Sequence, residues 1–198
     1  MGLESVQTGK LLYHLTKLSN MESIINDGLL PRKYLFEKEA IFEDVADPKI
    51  ITKRTELGLD CYTPFHFHPY SSFDVAVKNT YSNEKFVYIC ISRSLAQFNN
   101  FGVLVKHPLS QDECVIYDYD EGIKLIDWET MKMVGVESDY AKNVKMAECI
   151  TNKRIPAELF QCIYAPDEET KQIVESLLTK KNITEHPPYV NVQGCWFC

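Results

Sequence analysis

The chain has 198 residues, is 45% hydrophobic and carries a formal net charge of −7, a size and composition that close one apolar core and point to a single domain over residues 1–198. The acidic balance excludes a general electrostatic grip on nucleic acid but leaves room for a local basic groove, and no apolar run reaches the length of a membrane span. Met1-Gly2-Leu3-Glu4-Ser5 has neither the basic nor the apolar region of a signal peptide and does not complete a myristoylation pattern, so the expectation is a soluble, cytoplasmic protein without a membrane partner.

Leu11, Leu12, Tyr13 and Leu15 predict a buried strand that carries His14. Ser19-Asn20-Met21-Glu22 reads as a capping box, Ile24 and Ile25 give the next helix an apolar face, and Gly28 closes it. A strand, a titratable ring and a capped helix suit a ligand cradle, while His14 taken alone suits a hydrogen-bonded structural role. Residues 31–53 are charged and dotted with aromatics, which predicts a mobile amphipathic cover and then a short helix ending near Arg54. Residues 59–69 read as a strand that Pro64 confines to an edge or a bulge. His66 and His68 share one face of it, but no third ligand follows at a suitable distance and no metal is expected.

Residues 86–92 predict a central strand with a helical turn after it, and residues 102–105 and 114–117 two shorter strands. Asp127 is placed to cap a helix. Residues 144–150 and 159–164 read as extended runs joined by a turn at Pro156. The last helix has Pro166, Asp167, Glu168 and Glu169 at its start, an apolar stripe of Ile173, Val174, Leu177 and Leu178, and cations at its end. Tyr189-Val190-Asn191-Val192 closes the chain as a strand, giving an α+β domain with a largely antiparallel sheet.

The seven cysteines lie mostly in apolar runs, as buried reduced thiols do, and Cys195-Trp196-Phe197-Cys198 has no second pair to complete a zinc site. Lys49, Lys53 and Arg54 form one basic cluster and Lys142, Lys145, Lys153 and Arg154 another; they are either solvated faces or one phosphate-facing surface. Arg54 alone suits a phosphate fork or a cap on helix-end carbonyls. Glu148 is an acid out of pattern at the start of an apolar strand, behind the polar stretch 137–143. It suits hydrogen bonding to a sugar hydroxyl or general-base work, or is simply an exposed strand-end acid. The chain contains no G-x-G-x-x-G, Walker, H-E-x-x-H or G-x-S-x-G motif.

Taken in order, these pieces resemble the DarT family of DNA ADP-ribosyltransferase toxins. Tyr13-His14-Leu15-Thr16 is similar to the family's Tyr-His-Ile-Thr, Gly28-Leu29 to its Gly-Leu, and Tyr62-Thr63-Pro64-Phe65-His66-Phe67 to its Tyr-Val-Pro-Phe-Tyr-Phe. Ile126-Asp127-Trp128 stands for Leu-Asp-Trp, and Ala147-Glu148-Cys149-Ile150 with Pro156 for the catalytic strand. The resemblance implies an ADP-ribosyltransferase fold, in which a split antiparallel β-sheet with flanking helices holds NAD as co-substrate in its central cleft, with no metal. It implies a mono-ADP-ribosyltransferase that modifies a base, thymine, in single-stranded DNA, as the toxin of a pair with a macrodomain antitoxin. The alternatives within the same fold are an RNA or protein acceptor, or an inactive NAD-binding or protein-binding module. His14, Leu15 and Thr16 would hold the nicotinamide ribose, Asn20, Ser23 and Pro31 would line the adjacent pocket, Arg54 would touch NAD and act in catalysis, and Glu148 would be the catalytic glutamate. The segment 107–145 would present the nucleic acid. Where the family has Pro-Arg-Ser-Pro-Met, this chain has Pro69-Tyr70-Ser71-Ser72-Phe73, which offers Tyr70 for stacking on a base.

Overall fold

The computed structural model describes residues 6–38, 42–110, 113–135 and 138–197. Strand β1 (Leu11–Lys17) runs through one turn of 3-10 helix into α1 (Met21–Asp27), followed by α2 (Arg32–Glu37) and α3 (Pro48–Glu56). Strand β2 (Thr63–His66) leads to α4 (Ser72–Thr80), β3 (Phe86–Ser92), α5 (Arg93–Phe98) and β4 (Gly102–Leu104). Three short helices, α6 (Tyr119–Leu125), α7 (Trp128–Lys132) and α8 (Asp139–Lys145), precede β5 (Glu148–Thr151), β6 (Cys162–Ala165), α9 (Glu168–Lys180) and β7 (Tyr189–Val192).

The strands form one sheet in the order β4-β5-β2-β1-β3-β6-β7, antiparallel throughout except for the parallel pair β6 and β7. Alternation along β1 and β3 divides the core. Leu12, Val87, Ile89 and Ile91 meet Ile24 and Ile25 of α1 and Val174 and Leu178 of α9 on one face. Leu15, Phe86, Tyr88 and Cys90 meet Cys162 and Trp196 on the other.

Several predicted elements change. Ser19 makes no capping box, because a 3-10 turn over Leu18–Asn20 puts Asn20 at the N-cap of α1 and turns its side chain elsewhere. Gly28 does close α1, at φ 83°, where a Cβ would stand 2.8 Å from Arg154 Nε and 2.9 Å from the Ile155 carbonyl. The strand predicted over 59–69 contracts to β2, with a 3-10 turn at Leu59–Cys61 before it. Pro64 sits not at an edge but between β5 and β1. Of the extended run 144–150, the first part belongs to α8, where Ser138 accepts from the Ala141 amide. The strand predicted at 114–117 reduces to a single bridge between Val103 and Tyr117. The cap at Asp127, the central strand, the last helix and the final strand stand as predicted. Part of the polar stretch 137–143 and part of the cover over 31–53 lie outside the described residues.

Candidate active site

The ladder between β1 and β2 holds a single register pair, Tyr13 with His66. Toward Pro64 the strands part, and a side chain bridges the gap: His14 Nδ1 lies 2.9 Å from the Pro64 carbonyl. That carbonyl faces β1, and in a strand a residue's N–H and C=O point to the same neighbour. The N–H that proline lacks is therefore missing on the side where β1 has already moved away, which is why an interior strand tolerates it here.

A cavity of about 190 Å³ opens along this gap. β1 contributes His14, Leu15 and Thr16, the start of α1 contributes Asn20 and Ser23, α3 contributes Arg54, and β5 contributes Glu148. Leu30 and Arg32 line it too, while Pro31 between them is the buried N-cap of α2.

Glu148 is neither exposed nor terminal in the sense of a solvated acid: its side chain is 5% exposed and that of Arg54 11%. Arg54 Nη1 donates to Glu148 Oε1 at 2.9 Å and to Oε2 at 3.0 Å. A lone ion in such a place would be costly, so the pair is held together by mutual need as much as by attraction. Arg54 Nη2, Thr63 Oγ1 and His66 Nδ1, all buried, have no hydrogen-bond partner among the described residues. Buried polar atoms are normally satisfied, so their grouping around one cleft marks a surface built for a polar ligand.

Two of the lining histidines, His14 and His107, are biased toward the neutral form. Burial lowers the pKa of His14, against the pull of the Pro64 carbonyl. Since a carbonyl only accepts, the proton sits on Nδ1, and Nε2 is left as an acceptor suited to a ribose hydroxyl. His107, a lining residue not foreseen from the sequence, has its pKa pushed down by burial to about 4, with Glu148 opposing. Its amide donates to the Asn143 carbonyl at 2.8 Å, tying this loop to α8 just before Glu148.

Segment 42–46, part of the stretch expected as a cover, lies along the cleft, and what was unforeseen is how it is held. Asn20 Nδ2 donates to the Glu43 carbonyl at 3.0 Å and Asn20 Oδ1 accepts from the Glu43 amide at 2.8 Å. Lys17 Nζ reaches Glu43 Oε2 at 2.6 Å. No sequence pattern announces these contacts, because they join a strand end to a loop more than twenty residues away.

Two sequence readings do not survive. Tyr70 is not offered to a base: its hydroxyl donates to the Cys195 carbonyl at 2.7 Å and its ring packs edge-on against Trp196. The second basic cluster is not one phosphate-facing surface. Lys145 Nζ donates to the Met133 carbonyl, Lys153 Nζ to the Asn99 carbonyl at 2.9 Å, and Arg154 Nε to the Asp27 carbonyl. Among the described residues there is no His/Cys/Asp/Glu grouping fit for a metal, and no helix long and apolar enough to cross a membrane.

Comparison with known proteins places this fold among solved structures and one curated relative. A curated relative from Thermus aquaticus called DNA ADP-ribosyl transferase is 26% identical over 206 residues, covering 94% of this chain and 88% of the relative. The structure is similar to Thermus sp. 2.9 DarT in complex with ADP-ribosylated ssDNA, with a TM-score of 0.80, 18% identity and 96% of each chain covered. It is also similar to the same protein in complex with NAD+, with a TM-score of 0.76, 17% identity, and 96% and 98% coverage. Thermosipho africanus DarTG in complex with ADP-ribose gives a TM-score of 0.73 at 19% identity, over 96% of this chain and 51% of that one. The family profile described as "ssDNA thymidine ADP-ribosyltransferase, DarT" matches residues 13–198, and the chain belongs to that family.

Proposed function

We propose that this chain transfers ADP-ribose from NAD to thymidine in single-stranded DNA, with Glu148 and Arg54 as its catalytic pair. The observation that carries the assignment is the buried Arg54–Glu148 pair standing across the parted strands from neutral His14. In the transfer the bond from ribose C1′ to nicotinamide breaks, nicotinamide leaves with the bonding electrons, and a base nitrogen forms the new bond and releases its proton to water. The ribose passes through an oxocarbenium-like state, which a carboxylate fixed beside it stabilises. Arg54 fixes that carboxylate through both oxygens and keeps one donor, Nη2, for substrate. Its guanidinium is too basic to serve as a proton acceptor, so its part is positioning and charge. His14 Nε2 and the Thr16 hydroxyl serve the nicotinamide ribose, with Leu15 packing beside them; Asn20 and Ser23 shape the adjacent wall and Pro31 fixes the start of α2.

The test is to incubate the protein with NAD and oligonucleotides of defined base composition. Mass spectrometry should show one ADP-ribose added to thymine-containing single strands, and none with Glu148→Gln. No mass change on any DNA, with RNA or protein modified in parallel, would remove DNA as the acceptor. The role as toxin of a pair rests on the family resemblance and on the likeness to DarTG. Growth arrest on expression, relieved by co-expression of an ADP-ribose-removing macrodomain, checks it.

A further inference from the structure

The donor reading leaves one charge problem unanswered. NAD brings a diphosphate into a cleft lined by carboxylates that include Glu43, Asp44 and Glu148, and the charge of Arg54 is already paired with Glu148, leaving only Nη2 over. Two other cations line the cleft, Arg32 and Lys38. Lys38 is exposed, whereas the Arg32 side chain is 19% exposed and lies on the inner wall at the start of α2. Its partner is the cover segment itself: Arg32 Nη2 donates to Asp44 Oδ1 at 2.7 Å, and Nε stands 2.6 Å from Oδ2 in a geometry too bent to count as a hydrogen bond. A guanidinium fork fits two oxygens on one carbon or one phosphorus equally well. Asp44 thus presents to Arg32 the same pattern a phosphate would, with imperfect alignment and from a segment otherwise pinned by Asn20 and Lys17.

We propose that Arg32 is the diphosphate ligand of the NAD cleft, and that Asp44 is an internal anion that holds its guanidinium in place and yields it to the incoming diphosphate. The inference rests on NAD being the donor. Exchange of one anion for another leaves no buried charge unpaired at Arg32, and Asp44 keeps the Ala46 amide, which it already accepts at 3.0 Å. Binding of the dinucleotide is therefore coupled to release of segment 43–46 at one of its anchors. The two effects are separable by charge: removing Arg32 weakens diphosphate ligands, and removing the charge of Asp44 strengthens them.

The experiment is equilibrium binding to the full chain of three probes: carba-NAD, ADP-ribose, and nicotinamide riboside, which lacks the diphosphate. Arg32→Gln is expected to weaken carba-NAD and ADP-ribose by at least about tenfold, the worth of one charge-assisted pair, while nicotinamide riboside is held as by the wild type. Asp44→Asn is expected to tighten the two diphosphate ligands by about three- to tenfold at low salt and by less at high salt. A gain of affinity cannot come from misfolding, so this variant protects the test from a damaged Arg32→Gln. If the wild type binds carba-NAD and Arg32→Gln binds it within twofold, or if Asp44→Asn binds it more weakly, the proposal is overturned while the donor reading stands. If the wild type binds no carba-NAD at all, the donor reading falls and takes the proposal with it.

Discussion

His66 and Glu148 face each other as register partners across β2 and β5. The strand that has lost its pairing to β1 is thus the same strand that backs the carboxylate, so one strand sets both the opening of the cleft and the placement of its acid.

Replacing Glu148 by Gln keeps shape and one oxygen that can accept from Arg54 but removes the charge proposed to stabilise the ribose cation. Transfer to DNA should fall by about 10²–10³-fold or more, with NAD affinity largely kept. Initial rates and equilibrium binding on the same preparation measure the two separately.

Arg54→Met strips a buried carboxylate of its partner and should cost about 3–5 kcal/mol in urea unfolding. Adding Glu148→Leu to the same chain should return most of that loss, since a paired apolar replacement leaves no orphaned charge. A double mutant no more stable than Arg54→Met would show that packing, not charge, is what the single change damaged.

Three histidines with lowered pKa make stability fall in mild acid. Burial lowers the pKa of His14, His68 and His107 below the ordinary value of 6.5, to about 4 for His107. The unfolded chain takes up these protons as the pH drops through 6.5 while the folded chain refuses them, so each site erodes stability by up to about 1.4 kcal/mol per pH unit until its folded pKa is reached. Stability should therefore rise from about pH 4 to pH 6.5 and then level. His107→Asn should flatten that rise by about one proton's worth, read from unfolding midpoints across the range.

Arg93 anchors the chain's beginning. Its guanidinium donates to the carbonyls of Leu11, Gln7, Val6 and Phe67 and lies over the rings of Phe67 and Trp128. Arg93→Ala should cost about 3 kcal/mol, and Arg93→Lys should recover little of it, because a single ammonium cannot span four acceptors. Thermal melts of the two variants decide this.

Trp196 fills the far face of the sheet, 4% exposed and in ring contact with Tyr13, Tyr70, Tyr88 and Tyr164. Trp196→Ala should cost about 3–5 kcal/mol. Tyr70→Phe, which loses the hydroxyl's contacts with Cys195, should cost about 1 kcal/mol and leave affinity for single-stranded DNA unchanged, as expected of a ring that packs on Trp196.

The regular elements were legible wherever local chemistry decides them. β3 is buried on both faces and reads as an unbroken apolar run, and α9 carries acids, stripe and cations in order. The errors fell where a distant partner overrules the local pattern. Ser19 and Glu22 have the spacing of a capping box, but Asn20 is drawn to the Glu43 backbone and the helix starts a residue later. Pro64 argues for an edge until its neighbour is seen to have parted from it. In the site, His14 and Glu148 stood out because each breaks the apolarity of its surroundings, and Arg54 because it closes a basic cluster at a helix end. His107, Arg32 and Asp44 did not, since in a polar loop or at a helix start such residues are ordinary, and their meaning comes from what lies opposite.

A ladder with a single rung cannot fix an angle. With Tyr13 and His66 as its one register pair across the middle, the sheet leaves the spacing of His14 and Glu148 to what braces its two halves from outside: the His14–Pro64 bond and the bridge between Leu29 and Ile155. The width of the cleft is thus a property of tertiary bracing rather than of β-structure. Substitutions at Gly28 or Arg154 would reach Glu148 from a distance by changing that width.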